Sequence, residues 1–146
     1  MAYTTASAEA MLKLFLQALP FPGLADPTAG GLTQLWLGLY KGDPGAVADQ
    51  TTNEVVYPAY GRIATARSAS GWTVTGNEGQ LVNAAQFLAV TGSVDDSATH
   101  IGLGTLQTGP GLLLVHGPLS LAIPIRAGTV PRLSPATKVR FSVVSN

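Results

Sequence analysis

Apolar side chains recur every three or four positions near the start of the chain and every second position in segments from residue 34 onward. Ala8, Met11, Leu12, Phe15, Leu16 and Leu19 share one helical face, while Glu9, Lys13 and Gln17 line another. The spacing predicts a helix over residues 6 to 19. Thr5 or Ser7 is its expected cap, Glu9 is placed in the first turn, and Pro20, Pro22 and Gly23 end it. Lys13 interrupts the apolar stretch and no basic region precedes it, so neither a targeting peptide nor a membrane span is expected.

The period then shortens to that of strands. In LWLGLY, Leu35, Leu37 and Leu39 alternate with Trp36, Gly38 and Tyr40, so Trp36 either projects to the opposite surface or lies on a sheet covered on both faces. YGRIATAR, GWTVTG and THIGLGTL are further candidates, while QLVNAAQFLAV fits a strand, two strands with a bend, or a short helix. GLLLVHGPLSLAIPI reads as two strands meeting at Gly117 and Pro118, the second at an edge or broken at Pro124. A last strand alternates Val139, Phe141 and Val143 with Lys138, Arg140 and Ser142. About seven to nine strands after one helix, with turns between them and no repeated strand-helix-strand pattern, predict a mainly β fold. The expected architecture is an antiparallel β-sandwich or jelly-roll-like domain over residues 23 to 146, preceded by an N-terminal α-helix or arm over residues 1 to 22.

Composition narrows the surface chemistry. Only 11% of residues are charged, against about 25% in an average domain, and 46% are hydrophobic. Eight basic and eight acidic residues balance without a run of either sign, which points away from nucleic acid and anionic membranes. Cysteine is absent, so disulfide and thiol chemistry have no residue to act through.

Candidate chemistry is sparse. KGDPGAV has glycines at 42 and 45 but no helix behind it to present amides to a phosphate, so Asp43 and Pro44 are expected to turn the chain. Asp43, Asp49 and Glu54 carry oxygen ligands without the alternating spacing of a calcium loop, and Asp95, Asp96 and His100 fit a solvated loop. Ser97, His100 and Asp96 crowd one segment, where an acid cannot readily orient a base toward a nucleophile. No catalytic residue, metal site or cofactor is expected. Among the aromatics, Trp36, Trp72, Tyr40, Tyr57 and Tyr60 serve as core, as protein contact or, if exposed, as platforms for sugar rings.

LWLGLYKGDPG, NEVVYPAYGRIAT, a central Trp72 and THIGLGTLQTGPGLLLVHGPLSLAIPIRAGTVPRLSPATKVRFSV together resemble a family of small virion proteins of tailed bacteriophages, often labelled tail-fibre-like and including head decoration, or cement, proteins. The resemblance spans about residues 34 to 144, with Asp43, Pro44, Asn53, Glu54, Tyr60, Arg62 and the glycines at 102, 111, 117 and 128 in matching places. Val56 and Pro58 depart from the family pattern, as do Pro131 and Pro135, which are expected to shorten the penultimate strand. The resemblance implies a noncatalytic structural protein on the outer surface of the head, binding the major capsid protein as a homotrimer and stabilising the shell. Its alternative is a tail-tip or tail-fibre module binding host surface carbohydrate. Trp36, Tyr40, Asp43, Asn53, Glu54, Tyr60 and Arg62 are the expected protein-contact residues, with Asn53 and Glu54 beside the KGDPG corner if the intervening loop folds back.

Overall fold

In the computed structural model, which describes residues 2–17, 19–25, 31–75 and 77–140, the alternation in LWLGLY becomes the second strand of the chain and an interior strand of its main sheet. The elements run β1 (Ala2–Tyr3), α1 (Thr5–Gln17), β2 (Gln34–Tyr40), β3 (Ile63–Ala66), β4 (Trp72–Thr75), β5 (Glu78–Leu81), β6 (Ala85–Gln86), β7 (Asp95–Gly104), β8 (Leu113–Arg126), β9 (Arg132–Leu133) and β10 (Lys138–Arg140). A five-stranded antiparallel sheet has the order β1-β8-β7-β2-β3, a three-stranded one the order β10-β5-β4, and β6 pairs with β9. The fold is mainly β with one short N-terminal helix, as the pattern predicts. Phe141 and Val143 of the expected last strand lie outside the described residues, as do residues 26–30 of the connector.

Leu35, Leu37 and Leu39 of β2 meet Ile101 and Leu103 of β7 and Val115 of β8 in the main core, which also takes in Leu81, Ala85 and Leu133 from the smaller sheets. Fully burying a leucine contributes about 1.5–3 kcal/mol, so this face supplies much of the drive to close the sheets over one another. The opposite face of β2 is covered as well. Tyr40 joins Ala48 and Leu113 in a second, smaller cluster, and Trp36 is half-buried.

Several boundaries differ from the sequence reading. The helix begins at Thr5, its cap is Thr4 rather than Thr5 or Ser7, and Glu9 lies beyond the first turn. Thr4 caps through its hydroxyl, which accepts the Ser7 amide at 3.3 Å, while the same hydroxyl donates to the Leu113 carbonyl at 2.6 Å. The two strands expected to meet at Gly117 and Pro118 are one element, β8, carrying an irregularity: Ala98 faces Ile123 but His100 already faces Pro118. Residues 119–122 therefore bulge outward from β7, and Leu121 is 81% exposed. Pro118 stands at the edge of that bulge opposite His100, and Pro124 one pair beyond it opposite Ser97. The ambiguous stretch 80–90 resolves as two short strands with a bend, continued by Phe87 and Val90 amides donating to Pro131 and Thr129 carbonyls. β9 has two residues, in keeping with the prolines on either side of it. Asp95 and Asp96, expected in a loop, open β7.

Candidate functional site

The residues singled out in the middle of the sequence converge on the second face of β2, over a floor without side chains. Gly38 and Gly102 stand opposite each other in the β2–β7 ladder. A methyl group on Gly102 would lie 2.7 Å from both Leu113 Cδ1 and Tyr40 Cε2, and Gly104 and Gly111 have no room for one beside Gln50. Glycine is thus required here for close approach, because a ring and an amide side chain lie flat on the backbone.

On that floor sits a buried ion pair. Arg62 donates from Nε to Glu54 Oε1 and from a terminal nitrogen to Glu54 Oε2, both at 2.7 Å, and its other terminal nitrogen donates to the Leu106 and Gly109 carbonyls at 3.0 and 2.9 Å. The Arg62 side chain is 3% exposed and that of Glu54 12%. Burial works against the guanidinium charge, but the hydrogen bonds it donates to Glu54 and the negative charge there more than offset this and hold the Arg62 pKa above its ordinary value. Tyr60 donates to Glu54 Oε1 at 2.8 Å and accepts the Leu39 amide at 3.0 Å. Burial, reinforced by the Glu54 charge, pushes the phenols of both Tyr60 and Tyr40 well above the ordinary range.

Gln50 completes the network and was not a candidate from sequence. It is fully buried, and its side-chain amide pairs with the Leu106 backbone in both directions, accepting from N–H at 2.8 Å and donating to the carbonyl at 3.1 Å. Tyr40 donates to the Gln50 carbonyl at 3.2 Å. The loop after β2, the segment before β3 and the β7–β8 turn are thereby tied to one another. A glutamine that imitates a strand rung leaves no periodic trace in a sequence, so only the surrounding glycines at 102, 104 and 111 hint at it.

The KGDPG corner turns the chain at the rim of this network. Asp43 Oδ1 accepts the Gly45 amide at 3.0 Å, and Gly45 holds a φ of +87°, which the turn requires of a glycine. The loop does fold back: Lys41 donates to the Asn53 carbonyl at 2.8 Å, Asn53 Nδ2 donates to the Asp43 carbonyl at 3.0 Å, and Glu54 bridges to Tyr40. Asp49 accepts from the Thr51 amide at 2.8 Å and its hydroxyl at 2.7 Å, bonds that hold its carboxyl below the usual range. The carboxylates of Asp43, Asp49 and Glu54 therefore serve three separate local structures. Asp96 likewise accepts the Ser97 amide, and His100 Nδ1 pairs with the Thr99 hydroxyl, so neither is aimed at a Ser97 nucleophile. Among the described residues no group of three or more His, Asp or Glu side chains is placed to hold a metal ion.

Of the seven expected contact residues, Tyr40 and Arg62 are buried, Glu54, Tyr60 and Trp36 are partly buried, and Asp43 and Asn53 lie nearer solvent with their polar groups bonded to the loop. Of the five aromatics considered for sugar stacking, Tyr40 and Tyr57 are buried and Tyr60 is enclosed by the network. Trp72 is half-buried beside an apolar groove of about 250 Å³ lined by Leu35, Val74, Leu103 and Val139, with Arg67 and Glu78 at its edge.

Comparison with known proteins settles what kind of chain carries this network. Residues 2–140 match the family described as Podophage GP4 fiber I protein gp80. The chain belongs to that family. It is thus a phage virion protein of fibre type, and the match takes in α1, every described strand and the whole Glu54–Arg62 network. The fibre I description supports the tail-fibre-like side of the resemblance and does not extend to the head-decoration side. No curated protein matches the chain.

Proposed function

We propose that the chain is a noncatalytic module of a tail fibre, built to hold one rigid shape and to contact neighbouring virion proteins through its loops. The observation that carries this reading is the use made of the family-like residues. Glu54, Tyr60, Arg62 and the glycines beneath them bind one another, so their chemistry makes a fold and leaves no paired acid and base facing a cleft.

Within that reading the contact surface is the outer side of the 43–56 loop. Asp43 and Asn53 mark it, Val47 and Val56 stand 93% and 76% exposed on it, and Tyr40, Glu54, Tyr60 and Arg62 support it from below. An apolar tip on a loop held rigid from behind loses little conformational entropy on docking. Closed symmetry is the usual form of self-association for such subunits; the homotrimer is what the resemblance to decoration proteins implies, and light scattering of the purified chain tests it.

A second reading gives the module a host carbohydrate to bind, with Trp72 as the stacking ring and Arg67 and Glu78 flanking it. The guanidinium of Arg67 already donates to the Leu24 and Leu32 carbonyls, and Glu78 already meets Lys138 and Arg140, so few polar groups are left for sugar hydroxyls. Protein contact is the stronger reading for that reason. Placement on the head surface against the major capsid protein is the competing location. Co-sedimentation of the chain with isolated tails and with empty heads separates the two: the tail reading expects pelleting with tails, weakened at least about tenfold by Val47→Asp with Val56→Asp. Pelleting with heads alone supports decoration.

A further inference from the structure

His116 is the one polar side chain in the described core with a buried atom left unpartnered. It lies on β8, 5% exposed, and its Nε2 has no hydrogen-bond partner among the described residues. Its Nδ1 lies 3.3 Å from Asp43 Oδ1 in the KGDPG corner. The backbone of His116 is held in the sheet from both sides, and its ring faces the corner. Gly102 of β7 and Ala2 of β1 pair with the His116 backbone, and the corner brings Asp43 to its imidazole.

The same place is where the N-terminal arm is fastened. β1 pairs Ala2 with His116 and Tyr3 with Val115, Thr4 and Ser7 donate to the Leu113 and Leu114 carbonyls, and the Thr5 amide donates to the Ala46 carbonyl of the corner at 2.7 Å. We propose that Asp43 and His116 form a proton-sensitive latch that fastens the N-terminal arm and the corner to β8 when the imidazole is neutral and loosens them when it is protonated.

The argument is one of satisfied and unsatisfied atoms. A neutral ring that carries its proton on Nδ1, 3.3 Å from Asp43 Oδ1, leaves Nε2 a bare acceptor. A second proton turns Nε2 into a charged donor that is buried with nothing to accept it, which is a far costlier group to leave unpaired. Asp43 offsets only part of this, because its carboxylate is largely exposed and screened by water. The described side chains acting on the ring are Asp43 from the corner, which favours its charge, and His100 from β7, which opposes it. Burial is the largest influence and holds the His116 pKa below its ordinary value of 6.5. Relief comes from letting water reach the ring. β7 is bonded to β8 along most of its length, whereas β1 holds it through two residues, so the arm and corner give way first.

The folded form therefore binds fewer protons than the opened form between the depressed pKa and 6.5, and opening becomes more favourable as pH falls through that window. NMR of the full chain from about pH 8 to about pH 4, following the His116 ring and amide exchange, tests this. The expected result is a His116 midpoint below 6.5, with protection of the Thr5 amide falling up to about tenfold per pH unit across the window while Leu37 in β2 is unaffected. Asp43→Asn removes the charge that favours imidazolium, so the His116 midpoint falls further and the window extends to lower pH. His116→Gln abolishes the pH dependence. If that variant does not fold, the Asp43→Asn shift still decides. A His116 midpoint at or above 6.5, Thr5 protection that stays flat through the titration, or a window unmoved by Asp43→Asn overturns the latch.

Discussion

Arg62 has four of its N–H directions fixed by Glu54, Leu106 and Gly109, and this saturation decides what its removal does. Arg62→Met leaves Glu54 buried beside Tyr60 without its counter-charge and is expected to cost about 3–5 kcal/mol in urea unfolding. Glu54→Gln alone is also damaging, but the pair of changes together costs less than their sum, because a buried pair removed whole leaves no orphan charge. Gly102→Ala drives a methyl group into Leu113 and Tyr40 and should cost about 1–3 kcal/mol, whereas Gly42→Ala, with nothing within 4 Å, should leave the thermal midpoint nearly unchanged. The phenols of Tyr40 and Tyr60 give a pH signature. Their folded forms keep protons that the unfolded chain releases above pH 10, so stability falls as pH rises beyond 10, and absorbance titration should show both ionising only as the protein unfolds. At this scale the sequence marked Tyr40, Glu54, Tyr60 and Arg62 as special without showing why. Their spacing along the chain carries no period, and the contacts joining them are set by a folded-back loop.

The strands were more legible than the polar network. Alternation at Leu35, Leu37 and Leu39 is imposed by a pleat with a buried face, so it survives in the sequence as a pattern. The β8 irregularity was visible only as a suspicious Gly117–Pro118 pair, since whether such a pair breaks a strand or bulges it depends on β7 across the sheet. Likewise α1 announced itself by its periodicity, but its cap is fixed by tertiary bonds: Thr4 is chosen over Thr5 because its hydroxyl also reaches Leu113. That docking bears on whether residues 1 to 22 act as a separable arm. Ser7 and Thr4 are buried and β1 closes the edge of β8, so deleting residues 1 to 22 uncovers Leu113, Leu114 and Val115. The truncated chain is expected to unfold at lower urea with a broadened transition. A transition as sharp and as late as that of the full chain would show the arm to be dispensable to the β-domain.

At the scale of the molecule, low charge and apolar loop tips suit the proposed role as a part that its neighbours finish. Val47, Val56 and Leu121 are exposed on loops and a bulge that the internal bonding holds in place. Such a surface suits repeated contact in an assembly more than diffusion as a free molecule. The fibre family was only partly legible in the sequence, because glycine turns and a buried ion pair are fold-making features that fit a head subunit as well as a tail one. The location is tested most directly by gold-labelled antibody against this chain on intact virions, viewed by electron microscopy. A tail-fibre module predicts label on the tail or its fibres and bare heads; label distributed over the head surface, with unlabelled tails, would contradict the account.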